Sequence, residues 1–270
     1  MLIGETLNLK KKAFISLVGA GGKSTLFNRL AEELAYKNRR IILTTTTKMF
    51  NWQLAPFIKK GKLVKGYQEE LVRESIKRYF SQGDKRGRLA VVVEEIEEIN
   101  EKEKLTGPPS AWLDKWWNEG IADYFLVEAD GAAGRSVKAP ASYEPVVPLS
   151  TTDLIGVMGI DALGLPLGEE NVFRSTIFSQ LTGLAEGEKI GIEALSRLVC
   201  HPEGLFKKAP PGSRCHLFIN KVEDSLHLKE AEELAFEVLK LGHQRVSDII
   251  IGAASQKEVI REVIRKVEEG

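Results

Sequence analysis

Residues 13–27 (AFISLVGAGGKSTLF) constrain the fold of this chain more than any other stretch. Ala13 to Gly19 is mostly apolar, the pattern of a strand buried on both faces, and it leads directly into Gly19-Ala20-Gly21-Gly22-Lys23-Ser24-Thr25. Leu26, Leu30 and Leu34 then recur four apart, as one face of a helix does. Strand, glycine loop, Lys-Ser/Thr and helix in immediate succession is the layout of a phosphate-binding loop. Each part has a physical reason. Glycines let backbone N–H groups curl around an anion with no Cβ in the way. The helix N-terminus adds unpaired donors and partial positive charge. Lys23 can reach terminal phosphate oxygens as a point charge, and the Ser24 hydroxyl can ligate Mg²⁺.

The loop is shorter than the usual eight-residue form, whose first glycine would fall at Leu17. It reads as G-x-x-G-K-[ST], similar to the loop of Mur-type ligases. The expected ligand is a nucleoside triphosphate, ATP or GTP, with Mg²⁺.

At 270 residues, the chain suits one α/β domain spanning 1–270, with a helical elaboration at about 165–212. Lys+Arg and Asp+Glu both number 38, so no broad basic surface advertises nucleic acid. Two cysteines, Cys200 and Cys215, supply neither a disulfide framework nor a four-ligand zinc set. No apolar run at the start suits a signal peptide, and none elsewhere reaches the roughly 20 residues of a membrane span. A cytoplasmic protein is expected.

After the first helix, which the pattern ends near Lys37-Asn38, residues 39–44 (RRIILT) read as a second strand of a parallel βαβ unit. It ends in Thr44-Thr45-Thr46-Thr47-Lys48. Loops at the carboxyl ends of neighbouring parallel strands share one rim, where ligands bind. Thr46, Thr47 and Lys48 are therefore candidate contacts to phosphate, Mg²⁺ or a second substrate. Residues 51–87 contain a short strand at 63–65 and an amphipathic helix with Leu71, Ile76, Tyr79 and Phe80 on its apolar face. Residues 88–93 (RLAVVV) form another buried strand, and the acidic run 94–103 reads as a solvated face or loop. In the helix that follows, Trp112 and Trp116 are four apart, the spacing of packing residues.

Residues 123–130 (DYFLVEAD) form an apolar strand ending in acid, as a Walker-B element does. A carboxylate there can hold Mg²⁺ or orient an attacking water. Glu128 and Asp130 compete for these roles, and the sequence does not divide them. The Gly/Ala/Pro-rich segment 131–148 carries Arg135, Lys138 and Glu144, and reads as a switch or substrate loop with Arg135 and Lys138 as anion contacts.

Another strand at 153–159 is followed by helical patterns near 174–184 and 192–200. Adjacent Cys200 and His201 point in different directions at a helix end, so no joint metal site is expected. Residues 214–220 (RCHLFIN) end in Asn220-Lys221-Val222-Glu223-Asp224, which resembles the N-K-x-D base-recognition motif of GTP-binding proteins. There Asn and Lys frame the base and Asp reads guanine. Glu223 at the Asp position leaves guanine selectivity open. A helix at 228–241 and a strand at 246–251 lead to Ala254-Ser255, a small-residue loop suited to closing over a base, and a final helix is expected at 256–267.

Six stretches together resemble the YqeC-type family: SLVGAGGKST, LTTTTK, LVEADGAAGRSVKAP, GVMGIDALG, HPEGLFK and INKVE. The resemblance implies a P-loop accessory protein that helps mature selenium-dependent molybdenum hydroxylases or their cofactor. It implies no settled reaction. Glu223 departs from the family's N-K-V-D-like motif. Three classes of activity fit: a Mg²⁺-dependent NTPase, a ligase or transferase that activates a small substrate, and a nucleotide-gated binding module. The implied partners are the nucleotide and a molybdenum hydroxylase or its maturation proteins, with no membrane or nucleic acid. The candidate site comprises Gly19, Ala20, Gly21, Gly22, Lys23, Ser24, Thr25, Thr46, Lys48, Asn220, Lys221, Glu223, Ala254 and Ser255. Lys23, Glu128 and Asp130 are the catalytic candidates, and Ser24, Glu128 and Asp130 the metal ligands.

Overall fold

The computed structural model describes residues 2–35, 39–82, 88–99, 102–242 and 245–265. A short helix, α1 (Ile3–Thr6), precedes β1 (Ala13–Gly19), which is buried along its whole length. Next comes α2 (Lys23–Ala35), whose buried Leu26, Phe27, Leu30, Ala31 and Leu34 form the stripe expected from their spacing. The chain continues through β2 (Arg40–Thr45), β3 (Lys48–Phe50), α3 (Asn51–Lys60), β4 (Lys62–Lys65) and α4 (Glu69–Ser81). Then follow β5 (Arg88–Val93), the hairpin β6 (Glu95–Ile99) and β7 (Lys102–Thr106), α5 (Ser110–Asn118) and β8 (Tyr124–Glu128). The second half supplies β9 (Val137–Lys138), β10 (Asp153–Gly159), a 3-10 turn (Ile160–Ala162), β11 (Val172–Phe173), α6 (Ser175–Thr182) and α7 (Ile192–Cys200). It ends with β12 (Arg214–Asn220), α8 (Ser225–Lys240), β13 (Val246–Gly252) and β14 (Ile260–Arg265).

One nine-stranded sheet has the order β14-β13-β12-β10-β1-β8-β2-β5-β4, and only the β13–β14 pairing is antiparallel. Alternation along each strand divides its side chains between two layers. Ile15 and Leu17 of β1, Ile41 and Leu43 of β2 and Phe218 of β12 pack with α1, α2 and α3 on one face. On the other face, Phe14, Ile42 and Phe125 pack with α4 and α5, while Val18, Leu154 and Leu217 pack with α6, α7 and α8. This is the mainly parallel α/β fold expected, with helices on both faces. Among the described residues, no helix is long and apolar enough to cross a membrane.

Parallel pairing brings the strand tips to one rim. Leu17 and Thr45 both lie level with Glu128, so the tips of β1 and β2 flank the tip of β8. On the far side of β1, Gly19 lies level with Val157 of β10, and Gly159 with Asn220 of β12.

Several elements differ from expectation. The tail is a strand where a helix was expected; residues 266 and 267 of that helix lie outside the described residues. A register irregularity between Ile251 and Gly252 inserts Arg261 as an extra residue opposite β13. Ile260 and Val263, three apart, therefore both pack against the α2 side, a spacing that imitates a helix. Of the two expectations for the acidic run 94–103, a solvated face or a loop, the loop does not hold: its described residues belong mostly to a three-stranded antiparallel sheet, β6-β7-β3. Its Glu97 lies opposite Lys104, and its Ile96 opposite Leu105; residues 100 and 101 lie outside the described residues. Leu71 is 64% exposed and α4 buries Val72 instead, while Ile76 is buried and Tyr79 and Phe80 pack against the core as expected. The end of the first helix near Lys37-Asn38 lies outside the described residues.

Candidate nucleotide-binding site

Between β1 and α2 the chain turns through Gly19, Gly21 and Gly22, at φ +93°, +75° and +109°. L side chains are strained there. A Cβ at Gly19 would also strike the Val157 carbonyl, and one at Gly21 the backbone N of Gly159. The loop is anchored from behind: Ala20 N–H donates to Val157 O (2.9 Å) and Gly21 N–H to Arg135 O (2.9 Å). Lys23, Ser24 and Thr25 form the first turn of α2, whose N–H groups have no intrahelical acceptor.

This loop forms one wall of a cavity of about 460 Å³. Residues 20–25 line it together with Glu128, residues 131–135, Lys221, and Lys48, Met49, Phe50, Trp52 and Gln53. Beta-strand 3 and α3 thus contribute a second wall, of which only Lys48 was expected from the sequence. Phe50 and Trp52 stack with ring centroids 6.4 Å apart, and Trp52 is 66% exposed. Lys48 pairs with Glu97 at 2.6 Å. Gln53 accepts from Phe50 N–H (2.8 Å) and donates through Nε2 to Ser24 Oγ. No motif marks Gln53; its relevance appears only when α3 folds against the loop.

The charged centre is buried. Lys23 Nζ lies 2.8 Å from Asp130 Oδ1 and 3.8 Å from Glu128 Oε1, and it donates to the Asp130 carbonyl at 2.7 Å. Burial works against the Lys23 cation, yet Asp130 and Glu128 outweigh it and hold the ammonium above its ordinary pKa. Glu128 is pushed above the usual glutamate value, first by burial, with Lys23 opposing and Asp130 adding to the shift. Ser24 Oγ donates to Glu128 Oε2 at 3.2 Å. This hydroxyl–carboxylate pair at the cavity wall is the oxygen donor set that a hard cation such as Mg²⁺ takes alongside phosphate oxygens. Among the described residues, no cluster of three or more His, Cys, Asp or Glu side chains suits a protein-only metal site. Cys200 Sγ donates to Val238 O, and His201 Nδ1 accepts from Glu203 N–H.

The other candidates separate into groups. Arg135 lines the cavity, with its guanidinium donating to Glu169 O (2.6 Å) and Ala133 O (3.1 Å). Lys138, expected to contact an anion beside it, instead lies buried behind Asp130, 2.9 Å from Oδ2. Thr46 is absent from the cavity wall: its hydroxyl donates to Val146 O at 2.6 Å. The threonine run ties strand tips together, since Thr45 Oγ1 and Thr46 N–H both donate to the Glu128 carbonyl.

Asn220 is 3% exposed and bridges two loops. Its Nδ2 donates to Gly21 O at 2.6 Å, and its Oδ1 accepts from Ala254 N–H at 2.8 Å. Lys221, in the left-handed region at φ +66°, reaches the cavity and pairs with Asp161 at 2.7 Å. Glu223 and Ser255 bond each other at 3.2 Å, beyond the cavity wall. Asn220, Glu223, Ala254 and Ser255 are thus brought together, one step removed from the phosphate loop's own cavity.

Residues 15–176 match the YqeC protein family. The chain is 33% identical over 216 residues to the YqeC protein of Escherichia coli (strain K12), covering 78% of this chain and 77% of that one. Among solved structures, the hydrogenase maturation factor HypB from Archaeoglobus fulgidus aligns over 92% of this chain and 85% of its own, at 14% identity and a TM-score of 0.40. HypB from Helicobacter pylori, in complex with nickel, aligns over 91% and 80%, at 11% identity and a TM-score of 0.39. By the matched segment and the E. coli relative, the chain belongs to the YqeC family.

Proposed function

We propose that the cavity binds a nucleoside triphosphate, ATP or GTP, with Mg²⁺, and supports in-line attack on its γ-phosphate. One arrangement carries this reading: a left-handed glycine loop opens into a helix whose first turn bears Lys23 and Ser24, with Glu128 beside them at the tip of the adjacent strand. Backbone N–H groups of Gly22 and the first helical turn receive phosphate oxygens, and Lys23 exchanges Asp130 for the terminal phosphate. Ser24 Oγ and the Glu128 carboxylate hold the cation, which neutralises charge that develops on the transferring group. Glu128 or Asp130 orients the attacking water. Phosphate release with and without Mg²⁺ tests the reading: Glu128→Gln should cut turnover at least about tenfold, roughly 1.4 kcal/mol of transition-state stabilisation. Full turnover in that variant would remove Glu128 from the mechanism.

In this reading the nucleotide cycle serves the maturation of selenium-dependent molybdenum hydroxylases or their cofactor, the role implied by the stretches shared with the YqeC-type family. A second reading, transfer of phosphate or AMP to a small substrate, is favoured by the wall of Lys48, Phe50 and Trp52, which widens the cavity beyond the glycine loop. Product analysis with a candidate acceptor separates transfer from hydrolysis.

A further inference from the structure

Lys23 is not alone on Asp130. A second ammonium, Lys138 Nζ, lies 2.9 Å from Asp130 Oδ2, 2.6 Å from Glu144 Oε2 and 2.5 Å from the Gly131 carbonyl. Lys138 is 2% exposed, has these three oxygens around its ammonium and does not line the cavity, so it is not placed to meet a phosphate there. Glu144 in turn pairs with Arg174, whose guanidinium lies over the Phe173 ring. Burial opposes the Glu144 anion, but Arg174 and Lys138 outweigh it and hold its carboxyl below the ordinary glutamate value. Charges therefore alternate from the phosphate loop outwards: Lys23, Asp130, Lys138, Glu144, Arg174.

The two ammonium groups hold different oxygens. Asp130 Oδ1 faces Lys23, whereas Oδ2 receives Lys138 and the Gly19 N–H (3.1 Å). When Lys23 turns to a terminal phosphate, Oδ2 keeps both of its donors. A buried carboxylate stripped of its only cation is strongly disfavoured, whereas one that retains a paired, hydrogen-bonded cation is not. We propose that Lys138 is a positioning residue that keeps Asp130 paired when Lys23 leaves it, and so frees the phosphate-loop lysine to bind triphosphate. This inference rests on the triphosphate reading of the cavity and assigns a function to a lysine that touches no ligand.

The test is calorimetric titration with the imidotriphosphates of guanosine and adenosine plus Mg²⁺, on variants whose fold is checked by circular dichroism. Lys138→Met leaves Lys23 as the only cation of Asp130, so triphosphate affinity should fall at least about tenfold. In an Asp130→Asn background the same change should cost less than about twofold, because no buried carboxylate is then left unpaired. The double variant, which loses one charge of each sign, also covers the case in which Lys138→Met alone fails to fold. Glu144→Gln should act in the opposite sense. With its second acid gone, Lys138 pairs more strongly with Asp130, and affinity should rise about threefold. A purely structural role would make both single variants weaker. Equal losses from Lys138→Met in both backgrounds, or a loss in Glu144→Gln, would overturn the proposal while leaving the triphosphate reading intact. Absence of triphosphate binding by the unmodified protein would overturn both.

Discussion

Asn220→Ala removes the side chain that joins the phosphate loop to the loop after β13. In the native protein both ends of the carboxamide are used, on Gly21 O at 2.6 Å and on Ala254 N–H at 2.8 Å, in a setting that is almost fully buried. Truncation leaves one backbone acceptor and one backbone donor without partners. Each such group costs about 1–3 kcal/mol, so the pair sets a range of about 2–6 kcal/mol. The low half is expected, because water can enter the space left by the amide. A loss of about 3 kcal/mol in a chain of this size lowers the melting temperature by roughly 6–12 °C. The Gly21 carbonyl also loses its tether, so affinity for ATP and GTP should fall together, at least about tenfold. Asn220→Asp sets a carboxylate oxygen against the Gly21 carbonyl and should be no better than alanine. Thermal unfolding by circular dichroism and titration calorimetry on the same samples supply the measurements. A melting temperature within a degree or so of the unmodified protein, with unchanged affinity, would refute the tether.

Two further outcomes follow from the geometry. Asp153 and Asp248 sandwich His216, at 3.1 and 2.9 Å, and Arg214 and Arg265 back the two carboxylates. Burial opposes the imidazolium, but the two carboxylates outweigh it and raise its pKa. The cluster's contribution is therefore complete below the ordinary imidazole value of about 6.5 and is lost as pH rises through the raised one. Both aspartates are lowered despite burial, chiefly by His216, so their share is lost only as pH falls below the usual carboxylate range. Urea midpoints should decline as pH rises above about 6.5 in the unmodified protein and decline less in His216→Gln, as the linkage relation requires; equal slopes would contradict this. For base choice, Glu223 bonds Ser255 and offers its carboxylate one methylene farther out than aspartate would. Competition binding should show guanine preferred over adenine by less than about a hundredfold, on the order of 2.7 kcal/mol, and Glu223→Asp should sharpen the preference. Strong guanine selectivity unaffected at Glu223 would mean that another residue reads the base.

The central strands and the glycine loop were legible because a strand buried on both faces must be apolar, and a turn with positive φ needs glycine. That Lys23, Ser24, Glu128 and Asp130 would lie together could be read because strand tips in a parallel sheet share a rim. Lys138 was misread because a lysine in a Gly/Ala/Pro-rich loop looks solvated. Only the packing of β9 and β11 puts it among Asp130, Glu144 and the Phe173 ring. Gln53 carried no signal, since its bond to Ser24 depends on how α3 docks. The tail strand was hidden by its bulge, and the β6–β7 hairpin by charges whose partners lie across the ladder, as Glu97 does with Lys104. Each of these misses concerns a partner that strand pairing or packing brings close, which the local pattern does not report.

Titration of Mg²⁺–GTP and Mg²⁺–ATP into the unmodified protein and into Lys23→Ala tests the central claim most directly. Asp130 retains Lys138 in the variant, so the fold should survive, with an unchanged far-ultraviolet circular dichroism spectrum. The account predicts saturable binding at one site in the unmodified protein and a loss of at least about a hundredfold, roughly 2.7 kcal/mol, in the variant. Equal affinity in the two proteins, or no binding by either, would contradict it.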